Sequence, residues 1–512
     1  MLISDLILTA ALVLAVAAHW WQPLRRARPA LLGVAAVAGM LSLWQGMWQA
    51  VPALVLVAVL AAVPPLARRL RTSGPRPARL GAVAALLTLP AVAAPYYLSP
   101  LFDLPAPDGP HKVGTAGFEL VDPARLGVME DPPNRPRRIQ VRVWYPADVP
   151  VGSRPRPYLS AQEVRDVAPA LARNFEWPGF MFGHLGHVGT HSFEGVPVMA
   201  GGDPLPVLIF NHGYWCWPGQ NSVLMEALAS HGYIVFSIGH PYDAVALRFA
   251  DGLVIPPSPM KAEASVPTPG MLAFWEAKDI AGRAAALPGY MADFDRHRVM
   301  RSFNAWRADT RFLMDSLRAG AVPPVVRAIA GRGDLNRIGQ LGMSFGGTVA
   351  AATCHHDPGC PAAINMDGEE FDWTLYNAPV RMPLLEIHDD WVRYGHGDAR
   401  YALNDFVYEP WAVAGTTPSV TRLRIEGVRH IGLLDLPLSA RRPLRDRYYG
   451  AQDGRVATMT VAALSLAFFD NVMRNAGQGL PPGILDRYPA ARPHSAGAVR
   501  DWFLSTPAGR AP

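Results

Sequence analysis

The sequence predicts an α/β fold with a doubly wound, mostly parallel sheet, preceded by an all-α unit of four apolar spans. Three observations carry this expectation. Short apolar runs alternate with helical stretches from about residue 139 to residue 474, the rhythm of strand–helix–strand crossovers. The first hundred residues hold long stretches almost free of charge, each close to the length that crosses a hydrocarbon core of ~30 Å. Half of the 512 residues are hydrophobic and 17% are charged, which suits a membrane segment joined to a globular one. The expected division is therefore residues 1–100 and residues 101–512.

The apolar stretches are Leu2–Trp20, Ala30–Gln49, Val51–Ala67 and Leu80–Leu98, with Asp5 the one carboxylate among them. No Lys or Arg precedes the first, and further apolar stretches follow, which argues against a cleaved leader. Arg25, Arg26 and Arg28 lie between the first two, and Arg68, Arg69, Arg71, Arg76 and Arg79 between the last two. The middle connection, around Trp44–Trp48, is uncharged. By the positive-inside rule both Arg-rich connections are cytoplasmic, so the chain after Leu98 is expected outside, tethered to the cell membrane by several passes. Trp20, Trp21, Trp44, Trp48, Tyr96 and Tyr97 fall at span ends, as interfacial aromatics do. No span carries an ionisable residue at its centre, the usual mark of transport, so the unit reads as an anchor in the bilayer.

The net charge of +5 is modest, and the arginines are dispersed, which leaves no nucleic-acid footprint. In the second region Ile139, Val141, Val143 and Tyr145 alternate as a half-buried strand. Pro206–Phe210 and Tyr233–Ser237 are apolar runs suited to a covered parallel sheet. Between them Asn221–Ser230 reads as a helix ended by Gly232. Phe303–Arg318 places Phe303, Trp306, Leu313 and Leu317 at helical spacing. A strand over Arg337–Leu341, a turn at Ser344 and a small-residue helix through Ala352 come next. Strands at Ala362–Met366, Leu384–His388 and Thr421–Ile425 and a helix at Val456–Arg474 complete the pattern. Residues 244–302, rich in proline, methionine and aromatics, suit either a cap over a pocket or a long surface loop.

Gly342-Met343-Ser344-Phe345-Gly346 has the pattern of a nucleophile on a sharp strand-to-helix turn, where small residues on both sides avoid clashes. A serine nucleophile needs a base, and the base an anion to orient it. Of the downstream histidines, His430 follows a late strand in RIEGVRHIGLLD and can return to the turn. His355 and His356 belong at the far end of the helix, and His396 in YGHGD reads as surface. Asp367 after one strand and Asp389 or Asp390 after the next are rival acids, and either could instead cap a helix. The oxyanion donors are expected at the Phe345 N–H and, from the loop FNHGYW, at the Tyr214 N–H. His212 in that loop has no second ligand at metal spacing and is expected to be structural.

LPVLIFNHG, LASHGYIVFSIGHP, LGMSFGG, INMDG and GVRH, in this order and spacing, resemble the platelet-activating factor acetylhydrolase family, in a bacterial, membrane-anchored form. VGTAGFELVDPAR and RRIQVRVWYPA are similar to its opening strands, so the resemblance covers roughly residues 111–475. It implies an α/β-hydrolase that removes short or oxidised sn-2 acyl groups from phospholipids without calcium. It also implies Asp367 as the acid, with Ser344 as nucleophile, His430 as base, and Tyr214 and Phe345 as oxyanion donors. The chain departs from the family in its bulky Tyr214, Trp215 and Trp217 after His212-Gly213, and in Met343 where histidine is common. No metal or organic cofactor is implied.

Cys354 and Cys360 flank HHDPG; a small disulfide loop is the first reading, and a crowded metal site the second. Cys216 reads as packing. A lipase or polyester hydrolase is the rival enzyme, distinguished by a long apolar groove. A non-catalytic membrane receptor on a hydrolase fold is the rival of another class; the intact Ser344, Asp367 and His430 set argues against it.

Overall fold

The structure is a computed structural model that describes every residue except 19, 70–74, 175, 260–262, 264–265, 395–396, 416–419, 495 and 506–512. For 63–69, 75–82, 84–85 and 397–402 it describes the backbone only. Arg71 and His396 lie outside the described residues, as do the side chains of Arg68, Arg69, Arg76 and Arg79. The chain forms two compact units.

The first unit comprises Met1–Asp103 with two later stretches, Pro157–Val188 and Leu438–Asp446. The four apolar stretches fall on helices Ile3–Ala17, Arg28–Trp44, Val51–Arg69 and Pro75–Leu98. Leu8, Ala11, Leu12 and Ala15, one face of the first helix, bury against Leu32, Ala35 and Ala38 of the second and Ala53, Leu56 and Leu60 of the third. The alanines let the backbones approach closely, while large apolar side chains such as Ile7, Val37, Met40, Trp44 and Val55 stay exposed. The first two helices are shorter than the spans read from the sequence. Among the described residues the single helical stretch both long and apolar enough to cross a membrane is Gly454–Arg474, and most of it is buried in the other unit. The later stretches are tied in by backbone contact. Gly46, at φ +84°, lies so close to Gly183 that a Cβ there would sit 2.9 Å from the Gly183 carbonyl carbon. The His187 ring donates from Nε2 to the Gln45 carbonyl at 2.6 Å, and the Arg441 N–H donates to the Leu98 carbonyl at 2.8 Å.

The second unit is built on a ten-stranded sheet. Its strands are β1 (Lys112–Leu126), β2 (Pro136–Ala147), β3 (Ser192–Glu194), β4 (Leu205–Asn211) and β5 (Ile234–Gly239), then β8 (Gly333–Met343), β9 (Ala363–Met366), β10 (Leu384–His388), β11 (Val420–Ile425) and β12 (Ala491–Pro493). A separate hairpin pairs β6 (Leu247–Arg248) with β7 (Val254–Ile255). The sheet order is β12-β11-β10-β9-β8-β4-β5-β2-β1-β3. The run from β11 to β5 is parallel throughout, whereas β2 pairs antiparallel with β5 and with β1, and β12 with β11. Every residue of β5, β9 and β10 is buried, as strands covered on both faces must be. Helix Ser222–Ser230 packs on Gly454–Phe469, and Arg298–Arg318 packs on Phe345–His356.

Residues 244–302 hold the small hairpin and helices Pro269–Glu276 and Ile280–Phe294. Thr268 Oγ1 and Asp279 Oδ1 cap these helices by accepting from the backbone N–H of Met271 and Gly282. Phe274, Tyr290 and Phe294 are buried in an aromatic cluster that also contains Trp306, Phe345 and Phe371.

Candidate active site

Parallel strands deliver their following residues to one edge of the sheet, and three such ends meet here. Ser344 follows β8 at φ +55°, ψ −127°, a region costly for a residue with a Cβ. A Cβ on Gly342 would fall 2.1 Å from the Gly346 carbonyl oxygen, and one on Gly346 would fall 2.1 Å from that of Asn211, the last residue of β4. The flanking glycines are therefore a steric condition of the turn. The Ser344 N–H is held by the Met366 carbonyl at 2.6 Å, joining the turn to the end of β9.

Asp367 follows β9 with φ +62°. Asn365 shapes that turn, accepting from the Gly368 N–H at 2.8 Å and donating to the Gly368 carbonyl at 3.0 Å. His430 follows β11 on a loop that Asp390 pins: its carboxylate accepts from the Gly427 N–H at 2.7 Å and its own N–H donates to the Val428 carbonyl at 2.7 Å. The His430 Nε2 lies 2.9 Å from Ser344 Oγ, and its Nδ1 lies 2.5 Å from Asp367 Oδ2. Asp367 is wholly enclosed, whereas the His430 side chain is 39% exposed, so the chain of groups opens to solvent at the serine end.

Burial alone would raise the Asp367 pKa. The nearby His388 ring and the hydrogen bond and charge of His430 outweigh it and hold the carboxyl well below its usual range. Burial alone would lower His430, but Asp367 reverses the sign and its pKa stands above the ordinary value.

The Tyr214 and Phe345 rings meet edge to face at 5.0 Å, and among the described residues neither backbone N–H has a backbone acceptor. The Trp215 N–H next to them is bound to the Asp243 carbonyl at 2.7 Å. Asp243 in turn accepts from Trp306 Nε1 at 2.9 Å and pairs with Arg298 at 3.2 Å, which fixes the loop. His212 is buried, hydrogen-bonded between the Gly213 carbonyl and the His240 N–H. Burial and then the neighbouring His240 lower its pKa to about 3, a neutral structural ring.

Of the rival acids, Asp389 offers its backbone N–H to Asp367 Oδ1 at 3.0 Å, and Asp390 holds the His430 loop. His355 and His356 occupy the last turn of Phe345–His356, where His356 pairs with Asp372 at 2.7 Å. Cys354 and Cys360 form a disulfide, which removes their thiolates from any metal site. Sequence reasoning did not single out His388, Glu386 and Arg422, which stand behind Asp367. Glu386 and Arg422 face each other across β10 and β11; the readable signal was a glutamate inside the apolar run of β10.

Residues 97–249 match the family described as platelet-activating factor acetylhydrolase, isoform II. A probable 1-alkyl-2-acetylglycerophosphocholine esterase from Arthroderma benhamiae is 26% identical over 279 residues, 52% of this chain and 59% of that protein. The chain thus spans somewhat over half the length of that relative. The resemblance to the platelet-activating factor acetylhydrolases is borne out. A solved ferulic acid esterase from Streptomyces cinnamoneus aligns over 77% of this chain and all of its own, with a TM-score of 0.56 and 21% identity. That likeness is one of fold, a mixed α/β architecture built on a large, mostly parallel sheet. The family match over residues 97–249 ends before Ser344, so the three polar residues stand on their geometry.

Proposed function

We propose that this chain is a serine carboxylic-ester hydrolase acting on short acyl esters, the sn-2 acyl groups of phospholipids above all. One observation carries the reading: the continuous hydrogen-bonded line from Ser344 Oγ through His430 to Asp367. The family match supports the reaction class, and the name of the Arthroderma benhamiae relative supports the substrate class.

In the proposed cycle His430 Nε2 takes the Ser344 proton as Oγ attacks the ester carbonyl, and Asp367 stabilises the imidazolium that forms. The Tyr214 and Phe345 N–H groups receive the negative charge that develops on the carbonyl oxygen. His430 then protonates the departing alcohol. Water, activated by the same imidazole, releases the acyl group from Ser344. The Tyr214 and Phe371 rings each pack against the ring of Phe345, the residue after the serine, and this bulk supports a preference for a short acyl chain.

The N-terminal helices serve in this reading as an anchor with the catalytic unit on the extracytoplasmic side. The exposed apolar side chains of the first three helices and the arginine distribution support it.

Hydrolysis of p-nitrophenyl esters from acetyl to decanoyl, and of a short-sn-2 phosphatidylcholine, tests the proposal with Ser344→Ala as reference. Cleavage of the short esters and the phospholipid by wild type, with a loss of roughly 10⁴-fold or more in kcat for the variant, is expected. Activity that rises with chain length would reassign the substrate, and equal inertness of both proteins would remove the catalytic reading.

A further inference from the structure

Asp367 is approached from two sides by imidazoles. His430 takes Oδ2, while His388 Nδ1 lies 3.6 Å from Oδ1, with the Asp389 N–H on the same oxygen. His388 is the last residue of β10 and 1% exposed. Its Nε2 lies 3.2 Å from Glu386 Oε2, two residues back on the same face of the strand. Glu386 is fully buried and receives Arg422 Nε at 2.6 Å and Asn404 Nδ2 at 2.9 Å. Arg422 closes the far end on Asp405, which also meets His494 Nε2 at 3.0 Å.

His388 thus sits between two carboxylates, Glu386 and Asp367, with Arg422 beyond the first and His430 beyond the second. A neutral His388 would leave two carboxylates, Glu386 and Asp367, facing one imidazole in a region closed to water, which is costly. A protonated His388 satisfies both. The remaining groups around it agree. His494, whose ring centre lies 5.2 Å away, has its pKa lowered mainly by burial, and that of Glu370 is pushed well above the usual carboxylate range by burial and then by Glu386. Burial would also lower His388, but Asp367 and Glu386 overturn this and raise it to about 9.

We propose that His388 is a positioning residue for the acid: a buried imidazolium, seated on Glu386, that fixes Asp367 from the side opposite His430. It thereby sets the pH at which His430 becomes a base. A cation behind Asp367 offsets part of the carboxylate charge felt by His430 and lowers the proton affinity of that ring. Without it, Asp367 acts on His430 with its whole charge, and His430 holds its proton to higher pH. The inference rests on the assignment of Ser344, His430 and Asp367 made above.

The test is the kcat/KM–pH profile of the full chain on p-nitrophenyl acetate, for wild type, Ser344→Ala and His388→Gln. Expected for His388→Gln is an acid limb displaced upward by about half a pH unit to one unit, with activity largely recovered above the displaced limb. A uniform loss at every pH with the limb unmoved would mean a purely structural role and overturn the proposal. An inert wild type, or one indifferent to Ser344→Ala, would remove the assignment of the site and the proposal with it. An active, Ser344-dependent enzyme whose His388→Gln profile equals wild type would remove the proposal alone. Should His388→Gln fail to fold, nitrogen NMR of histidine-labelled wild type decides, with His430→Ala for resonance assignment. A ring still protonated at pH 8 supports the proposal, and a neutral one at pH 7 ends it.

Discussion

Ser344 occupies a backbone region that costs a non-glycine residue about 1–3 kcal/mol, and the sheet holds it there through the Met366 carbonyl and two glycines that admit no Cβ. This is why the nucleophile candidate was readable: the sequence around it obeys a steric rule. His430 was readable for a related reason, since few histidines follow a strand that can end beside the turn. Asp367 was not separable from Asp389 and Asp390 by the residues alone, because all three follow apolar strands; the resemblance to the acetylhydrolases chose it. The structure shows where the others are engaged, Asp389 through its N–H and Asp390 on the Gly427 loop. His388 left no such trace, because what matters about it is a charge two strands wide that only the register of β10 on β11 assembles. The elevated His430 pKa has a direct consequence. In the proposed cycle the ring must be neutral to accept the Ser344 proton, so activity is expected to be lost as pH falls through a value above the ordinary 6.5. A kcat/KM–pH profile for wild type is expected to show its acid limb above pH 6.5; a limb near pH 5 would contradict this electrostatic account.

Among the elements, those most legible were the covered strands, whose burial on both faces demands near-continuous apolar runs, and the amphipathic helix ending at Arg318. Helix Ala161–Asn174 was missed although Ser160 and Glu163 cap its start reciprocally, a signal written in the sequence; Pro169 inside it argued against a helix. Helices Pro269–Glu276 and Ile280–Phe294 were missed for another reason: their proline and glycine content imitates a loop, and caps at Thr268 and Asp279 with aromatic packing define them instead. The Cys354–Cys360 bond ties the last turn of the Phe345–His356 helix to the start of the approach to β9. Closing so short a loop restricts the unfolded chain by roughly 2 kcal/mol. At about 1.5 Å per residue the bridge lies about 15 Å along the helix from Ser344. A Cys354→Ser/Cys360→Ser double variant is therefore expected to melt a few degrees lower with kcat within about twofold of wild type. A loss of activity at unchanged Tm would show that the bridge instead shapes the turn.

At the scale of the whole molecule, the division of the chain differs in kind from a cut near residue 100. The first unit draws in Pro157–Val188 and Leu438–Asp446, both reached only after the chain has entered the sheet. No composition shift announces these excursions, because what fixes them is backbone contact such as Gly46 on Gly183 and His187 on the Gln45 carbonyl. Phe182, Leu185, Val167 and Leu171 are buried in this arrangement, and removing residues 1–103 takes away the helices of their unit. A fragment of residues 104–512 is thus expected to expose apolar surface and to aggregate on size-exclusion chromatography, with p-nitrophenyl acetate hydrolysis well below that of the full chain in detergent. The full chain is expected to stay with membranes through an alkaline carbonate wash. If the fragment were monomeric and as active as the full chain, the helices would be a detachable anchor. If the full chain washed off while the fragment still failed, they would be a folding partner for the later segments with no bilayer role, and their exposed apolar faces would need another cover.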